Sequence, residues 1–379
     1  MNMFYRFLAL LVGSLLLTAG CAPDPTATST TAVRTLPAPT AAATRPPATA
    51  QPATSLPRTP LPVATGAGSR PNGKFVFAPG DGTLWIQDAA SGHAQLLVKG
   101  SATSFADSPA FAPDGKQIVY TVNGFDAQGL GQTRIDLIDA DGRNARVFLL
   151  PPDIKTALNW PVISPDGKWV YYTASYPVPP NKQHTEIQRM PIAGGAAQTL
   201  APDAEKGVLS PDGKQLAFVR FNFTTFGASL WIGDADGKNP RQIMSEDVFA
   251  TIGAPSFSPD GAWLLFAASG PPLHPLPSAL NLPPPECAPR LLCLLAAPAQ
   301  ADGLPWDLWL ISTDGKQYKQ LTRVGADSPA PAWSRDGKTV AFFDTNGIYR
   351  VDIETHAISL ISKNGGHGAF AWWEPPGAP

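Results

Sequence analysis

The chain has 379 residues, a formal net charge of −2 and charged side chains at only 15% of its positions. Without a basic excess the composition offers no electrostatic footprint for nucleic acid, and three cysteines are too few for a disulfide scaffold. The 42 prolines and 34 glycines concentrate in an N-terminal tail, in recurrent turns and in one insertion. Composition alone therefore divides the chain into a tail and a body.

Residues 1–20 have the pattern of an export signal. Arg6 precedes an apolar run, Phe7–Leu17, that is too short to span a bilayer comfortably. The small residues of Thr18-Ala19-Gly20-Cys21 resemble the bacterial lipoprotein signal. That resemblance implies that Cys21 is lipidated and becomes the new amino terminus. The alternative is an ordinary signal peptide that happens to contain a cysteine.

Residues 21–70 are rich in alanine, threonine, proline and serine and contain no aromatic residue. Such a segment cannot bury enough apolar surface to offset the entropy lost on ordering it. We expect a disordered tether stiffened by proline. At ~3.1 Å per residue in the polyproline II conformation it would reach on the order of 100 Å.

A tight turn of sequence Pro-Asp-Gly, once Arg-Asp-Gly, recurs between apolar stretches through the rest of the chain, after a degenerate copy at Pro71-Asn72-Gly73. Proline sets φ near about −65°, aspartate can bond the backbone ahead of it, and glycine adopts positive φ without a Cβ clash. A catalytic or metal-binding group is normally needed once, so the recurrence predicts structural turns. The turn residues are Asp114, Gly115, Asp166, Gly167, Asp212, Gly213, Asp260, Gly261, Asp336 and Gly337.

Successive turns lie roughly 40–50 residues apart once an insertion of about 30 residues in the fifth unit is set aside. Each unit contains an inner strand, the turn, a continuously apolar second strand, a third strand, often another turn, and a short outer strand. A repeat of this length with four strands is the signature of a β-propeller.

The fourth unit carries the most specific pattern. Ser-Pro-Asp-Gly-Lys-Gln-Leu-Ala-Phe begins at Ser210, and Ser-Leu-Trp-Ile-Gly-Asp-Ala-Asp-Gly begins at Ser229. These strings resemble the TolB-type β-propeller repeat, and the resemblance extends over residues 71–377. It implies a six-bladed propeller, often secreted or associated with the envelope, that usually serves as a binding platform. Since the tether stands where TolB has an α/β domain, a TolB-specific partner is not implied.

The two ends of the repeat region complement each other. Phe370-Ala371-Trp372-Trp373 resembles the inner strand of a further unit, whereas the first unit begins at its turn and has no inner strand. We therefore predict an all-β fold over residues 71–379, with six four-stranded antiparallel blades. The ring closes by pairing Ala371–Trp373 with Phe75–Phe77, which leaves no open sheet edge.

No hydrolase, zinc or phosphate-binding motif is found, and the five histidines are scattered, so we predict no metal, no cofactor and no enzyme. The distinctive feature is the insertion at residues 271–305 in the fifth blade. Because the chain carries an export signal, Cys287 and Cys293 are expected to form a disulfide. A metal site there would need two more ligands.

Several aromatic side chains lie in the connections between second and third strands and have no counterpart in other repeats. Because these connections share one end of a propeller, we predict a recognition surface there, partly covered by the insertion. Alternatively, the rings pack the connections onto the blades. The residues are Phe125, Tyr176, Phe221, Phe223 and Phe226.

The predicted function is a membrane-tethered extracytoplasmic module that binds a protein, peptide or glycan. One alternative is a hydrolase or lyase acting at the mouth of the channel on an envelope or extracellular substrate. Another is a structural envelope protein whose tether matters more than its head. A cluster of histidines and acidic residues around the channel would favour the enzyme, and an aromatic rim would favour binding.

Overall fold

The computed structural model describes residues 71–101, 103–125, 131–180, 182–274, 276 and 305–377. The predicted signal peptide and tether, with Cys21, lie outside these residues, as do Cys287 and Cys293. Within the described residues every regular element is a β-strand. No helix in this part of the chain is long and apolar enough to cross a membrane.

The strands form six antiparallel sheets, or blades, described here from the innermost strand outward. Blade 1 contains β25 (Phe370–Trp373), β1 (Lys74–Phe77), β2 (Leu84–Asp88) and β3 (Ala94–Val98). Blade 2 contains β4 (Ser104–Phe111), β5 (Gln117–Phe125), β6 (Gly131–Asp139) and β7 (Arg146–Leu149). Blade 3 contains β8 (Ala157–Ile163), β9 (Trp169–Val178), β10 (Lys182–Pro191) and β11 (Gln198–Pro202).

The other three blades follow the same plan. Blade 4 contains β12 (Glu205–Leu209), β13 (Gln215–Phe221), β14 (Ala228–Asp234) and β15 (Arg241–Met244). The inner strand of blade 5 is broken into β16 (Thr251–Ile252) and β17 (Ser256–Phe257), followed by β18 (Trp263–Ser269), β19 (Trp306–Ser312) and β20 (Tyr318–Gln320). Blade 6 contains β21 (Ala330–Trp333), β22 (Thr339–Asp344), β23 (Gly347–Asp352) and β24 (Ile358–Ser362).

The innermost strands contact one another in turn around a central axis. Their order is β25, β4, β8, β12, β17 and β21, and β21 contacts β25 again. The ring closes inside blade 1, where the last strand of the chain pairs with the first. Phe77 lies opposite Phe370 and Lys74 lies opposite Trp373. The predicted six-bladed all-β ring and its closure are confirmed.

One apolar cluster fills each of the six spaces between neighbouring blades in the described part of the chain. The second strand of a blade contributes to two clusters, because its side chains point alternately to opposite faces. In β13, Leu216 and Phe218 face blade 3, whereas Ala217 and Val219 face blade 5. Burial on both faces explains why second strands are continuously apolar in sequence.

The Pro-Asp-Gly turns lie at one end of the ring, which we call the turn face. In blade 4, Ser210 Oγ donates to Asp212 Oδ1 (2.6 Å) and accepts from the backbone N–H of Gln215 (2.9 Å). The same Asp212 oxygen accepts the N–H of Lys214 (3.1 Å), and Gly213 has φ +71°. The same bonds form at the turns that begin with Ser164, Ser258 and Ser334.

The second and third strands of blades 2 and 3 extend well into their connections. β9 and β10 stay paired until Val178 lies opposite Lys182, and β5 and β6 stay paired until Phe125 lies opposite Gly131. Pairing satisfies the backbone hydrogen bonds of these residues across the hairpin. The connection between β13 and β14 in blade 4 is an irregular loop.

Candidate functional site

The end of the ring opposite the turn face is called the loop face here. In each blade the inner strand runs toward the turn face, so the connection between second and third strands returns at the opposite end. The crossings from one blade to the next lie there as well. The loop face therefore collects the parts of the chain that differ most between repeats.

Exposed apolar side chains are concentrated on the loop face. Eight large apolar side chains are exposed among the described residues, and three of them, Leu96, Val147 and Leu360, lie on outer strands. The remaining five lie on loops or crossings of the loop face. They are Leu150, Ile154, Phe223, Phe226 and Leu273.

Three of the predicted aromatic residues meet in the loop of blade 4. Phe221 packs against the cluster between blades 4 and 5. The rings of Phe223 and Phe226 contact it edge-on, with centroids 5.0 and 6.4 Å from that of Phe221. Phe223 is 44% exposed and Phe226 is 57% exposed. Phe221 therefore anchors the loop, and the other two rings face solvent.

Hydrogen bonds hold this loop in one conformation. Glu246 Oε1, on the crossing that follows β15, accepts from Asn222 Nδ2 and from Thr225 Oγ1, both at 3.1 Å. The N–H of Phe226 donates to the carbonyl of Asn222 (2.8 Å). Phe226 itself has φ +58°, in the left-handed region that residues other than glycine rarely adopt. The loop is thus fixed at both ends and presents its two exposed rings in a defined orientation.

The other two predicted aromatic residues lie on the hairpins of blades 2 and 3. Phe125 is half-buried, and its ring packs edge-on against Phe105 with centroids 6.3 Å apart. Tyr176 is also half-buried, and its ring lies 5.1 Å from that of His184. These two residues match the alternative in which aromatic rings pack the connections onto the blades.

Between blades 3 and 4 the loop face opens into a cleft of about 540 Å³. One wall is the hairpin of blade 3, with Gln183 and Thr185, and the floor is formed by Arg220 and Trp231. Asp203 and Glu246 contribute one carboxylate each. The remaining lining residues come from blade 4: Phe221, Asn222, Phe223, Ser229 and Gln242.

A histidine bridges two acidic residues beside this cleft. His184 Nε2 lies 3.4 Å from Glu186 Oε2, and its Nδ1 lies 3.4 Å from Asp203 Oδ1. Burial, together with the negative charge of Glu186, raises the pKa of Tyr176 above its usual value. Among the described residues no group of three or more acidic, histidine or cysteine side chains is placed to hold a metal ion.

The mouth of the central channel at the loop face carries further charged side chains. His367 Nδ1 lies 3.2 Å from Asp327 Oδ2, and the N–H of Asp327 donates to Asp344 Oδ2 (2.8 Å). Lys206 Nζ lies 3.3 Å from Glu205 Oε1. The histidine–carboxylate pairing is the kind of arrangement that a channel-mouth enzyme would need.

Three inner strands bulge at this mouth, and sequence reasoning missed all three bulges. The bulged residues Ser108, Trp160 and Lys206 have φ values of 49°, 49° and 56°, and the strand register shifts beside each. Lys206 Nζ lies 5.2 Å from the ring centroid of Trp160. Burial at the bulge raises the pKa of Asp107. A proline or glycine directly after each bulged residue is the signal that could have revealed them.

No family model matches the chain. An uncharacterised protein of Agrobacterium fabrum is 23% identical in an alignment of 202 positions that covers 48% of this chain and 60% of that protein. TolB of Acinetobacter baumannii has a structure similar to this one, with a TM-score of 0.55 and 18% identity, over 79% of this chain and 66% of the TolB chain. The chain thus spans less than two thirds of the length of either protein.

Two further structures have a TM-score of 0.49, too low to carry an argument about function. One is a protein of Agrobacterium tumefaciens assigned to TolB, 16% identical, which matches over 81% of this chain and 99% of its own. The other is an oligogalacturonate lyase in complex with manganese, 13% identical over 78% of both chains. The blade topology and the likeness to the Acinetobacter structure lead to one conclusion about shape: this chain has the TolB-type six-bladed β-propeller fold.

Proposed function

We propose that this protein is a binding module that recognises a protein, a peptide or a glycan through the loop face of its propeller. The observation that carries the proposal is the pair of exposed rings, Phe223 and Phe226, on a loop fixed by hydrogen bonds. Aromatic residues are enriched at interfaces, and a rigid loop loses little conformational entropy when it binds. Five exposed apolar side chains on one face extend this surface beyond a single loop.

We further propose that the module works outside the cytoplasm, held to a membrane by a lipid on Cys21. The export signal, the small residues before Cys21 and the proline-rich residues 21–70 support this arrangement. A long tether would let the loop face meet partners well away from the membrane surface.

The insertion at residues 271–305 is proposed to cover part of the loop face. The N–H of Leu273 donates to the carbonyl of Val248 (2.8 Å), which lies on the crossing into blade 5. This bond holds the first described residues after β18 against the loop face, which supports the proposal. Replacing residues 272–303 by a short Gly-Ser turn should leave folding intact and change the affinity for a partner.

The second candidate is a hydrolase or lyase at the channel mouth, and the pairing of His367 with Asp327 favours it. A histidine held by a carboxylate can serve as a general base. If this candidate is right, the purified chain has a hydrolytic or lyase activity on envelope or extracellular polymers. His367→Ala should abolish that activity and leave binding by the loop of blade 4 unchanged.

The binding proposal is tested by capture from envelope extract with the full chain and with a Phe223→Ala/Phe226→Ala double variant. A matched control is Val147→Ala/Leu360→Ala, which removes two exposed apolar side chains from outer strands instead. We expect a partner that the wild type and the control capture in equal amounts. The loop variant should capture at least tenfold less of it. Equal capture by all three chains would overturn the proposal.

A further inference from the structure

The cleft between blades 3 and 4 has an arginine in its floor whose surroundings are unusual. Arg220 lies on β13 with its guanidinium carbon 4.3 Å from the ring centroid of Trp231 and 5.4 Å from that of Phe218. Trp231 is fixed in turn, because its Nε1 donates to Ser229 Oγ (3.0 Å). The cation therefore lies against two aromatic rings, one of which is positioned by a hydrogen bond.

The Nε atom of Arg220 is buried and has no hydrogen-bond acceptor among the described residues. Both acidic residues of the cleft are already engaged elsewhere. Glu246 accepts from Asn222 and Thr225 in the loop of blade 4, and Asp203 lies next to His184. No ion pair between Arg220 and either carboxylate is found in the described part of the chain.

Blade 3 provides an internal comparison. The guanidinium carbon of Arg189 lies 4.5 Å from the ring centroid of Trp169, so the stacking is the same. Arg189 nevertheless donates from Nε to Gln198 Oε1 (3.0 Å) and from Nη1 to the Tyr171 hydroxyl (3.2 Å). Stacking on tryptophan thus does not prevent an arginine in this fold from finding acceptors. Arg220 differs from Arg189 in that its Nε has no acceptor among the described residues.

A buried donor without an acceptor is unfavourable, and a charged one more so. The guanidinium of Arg220 also lines the cleft, and a carboxylate is the acceptor that suits the nitrogens it presents there, because the two oxygens of a carboxylate match two guanidinium donors in a bidentate pair. Beside this position the cleft wall is apolar, with the rings of Phe221 and Phe223. A ligand that fits both features carries a carboxylate next to an apolar side chain.

We propose that this cleft binds a peptide carboxylate through Arg220, with the neighbouring apolar side chain of the peptide against Phe223. The inference rests on the proposed binding function and names the class of partner: a peptide segment in which an acidic group adjoins an apolar residue. The acid can be the C-terminal carboxylate or the side chain of an aspartate or glutamate. A phosphate suits the cleft less well. It carries up to two negative charges, so Asp203 and Glu246 repel it more strongly than they repel a carboxylate with one charge.

The test uses the full chain and small probes, with the Nε–H resonance of Arg220 as the readout. This resonance is assigned by its disappearance in Arg220→Lys. N-acetylphenylalanine supplies a terminal carboxylate, and acetyl-Phe-Asp-amide supplies one on a side chain. N-acetylphenylalanine amide has the ring without the acid, and inorganic phosphate has the charge without the ring. We expect at least one of the two acids to shift the resonance with saturation, and the amide and phosphate to bind at least tenfold more weakly.

Variants separate the two contacts. Arg220→Gln should weaken binding of the acidic probe by about tenfold or more, which is the size expected for a charge-assisted pair. Phe223→Ala should weaken binding of the same probe without removing the preference for the acid over the amide. Arg189→Gln is the matched control and should leave binding unchanged. Melting curves for each variant establish that it is folded.

Several results would overturn the inference. It is wrong if the amide binds as well as the acid, if phosphate binds more tightly, if Arg220→Gln binds normally, or if no probe shifts the Arg220 resonance at millimolar concentration. These outcomes are independent of the capture experiment above. A chain that binds the acidic probe through Arg220 but captures no partner would contradict the proposed function and support this site.

Discussion

The closure of the ring can be tested by removing the last strand. β25 pairs with β1 over Phe370–Trp373 and contributes two further hydrogen bonds through its indoles. Trp372 Nε1 donates to the carbonyl of Asn72 (3.0 Å), and Trp373 Nε1 donates to that of Pro113 in blade 2 (3.1 Å). The strand therefore joins the start of the chain to the neighbouring blade as well as completing its own.

The size of the effect follows from what the strand buries. Phe370 is only 7% exposed, and its ring lies 5.3 Å from that of the fully buried Phe75. Truncating a buried aromatic ring to alanine costs about 3–5 kcal/mol. With roughly 300 folded residues and about 0.6 kcal/mol per °C, Phe370→Ala should lower the melting temperature by about 5–8 °C.

Deleting residues 368–379 removes far more. The chain loses this ring, the two indole bonds and the pairing of four residues, which together are on the order of 10 kcal/mol. That sum is comparable with the whole stability of a typical domain, about 5–15 kcal/mol. The deletion should therefore abolish a cooperative melting transition or lower its midpoint by more than about 15 °C.

Thermal unfolding followed by circular dichroism and by calorimetry provides the measurement. The control is Leu360→Ala, on the outer strand β24, where the side chain is 39% exposed. It should shift the midpoint by no more than about 1 °C, because surface substitutions seldom exceed about 0.5 kcal/mol. A deletion variant that melts like the wild type would refute the closure, and so would a Phe370→Ala variant indistinguishable from Leu360→Ala.

Three further outcomes are expected. Cys21→Ser should abolish palmitate labelling and, if the lipid is the only anchor, release the protein from membranes; labelling that persists would contradict the lipid anchor. Ser210→Ala should lower the melting temperature by only about 1–2 °C, since blade 2 forms the same turn with Ala112 in that place. The Ser210 hydroxyl holds the pKa of Asp212 below its usual 3.8, so the part of this difference that depends on Asp212 should persist above that pH and be lost as the pH falls through the lowered pKa. The part that comes from the lost bond to the Gln215 N–H should remain; a difference that does not shrink at low pH would contradict the linkage. Asp107→Asn should stabilise the protein at pH 7, because burial raises the pKa of Asp107 and its ionisation therefore lowers the free energy of unfolding. The gain in melting temperature should shrink as the pH falls. Equal melting curves of variant and wild type across this pH range would show that Asp107 carries no such penalty.

The blades could be predicted because their signals are local. Each Pro-Asp-Gly turn specifies its own geometry within a few residues, and the apolar second strand after it reports burial on both faces. Ring closure was predictable for a related reason: the incomplete first unit and the surplus strand at Phe370–Trp373 make one blade together. None of these inferences required knowing which blades lie next to each other.

The sites at the loop face were only partly predictable, because they depend on contacts between units. Phe221, Phe223 and Phe226 stand close in sequence, and their cluster follows from one loop. Arg220, by contrast, appears in sequence as one more polar residue at the end of a strand. Its role emerges when Trp231 is placed beneath it and the hairpin of blade 3 beside it. The half-burial of Tyr176 likewise depends on contacts between strands, since β9 and β10 stay paired beyond it.

The two ends of the propeller differ in what they present to a partner, and this difference bears on function. At the turn face the serine and aspartate of four turns bond each other and the backbone, which leaves little for a partner to complete. At the loop face, Phe223 and Phe226 are exposed and the Nε of Arg220 lacks an acceptor. The acidic peptide proposed for the cleft would contact the guanidinium of Arg220 and the ring of Phe223 together.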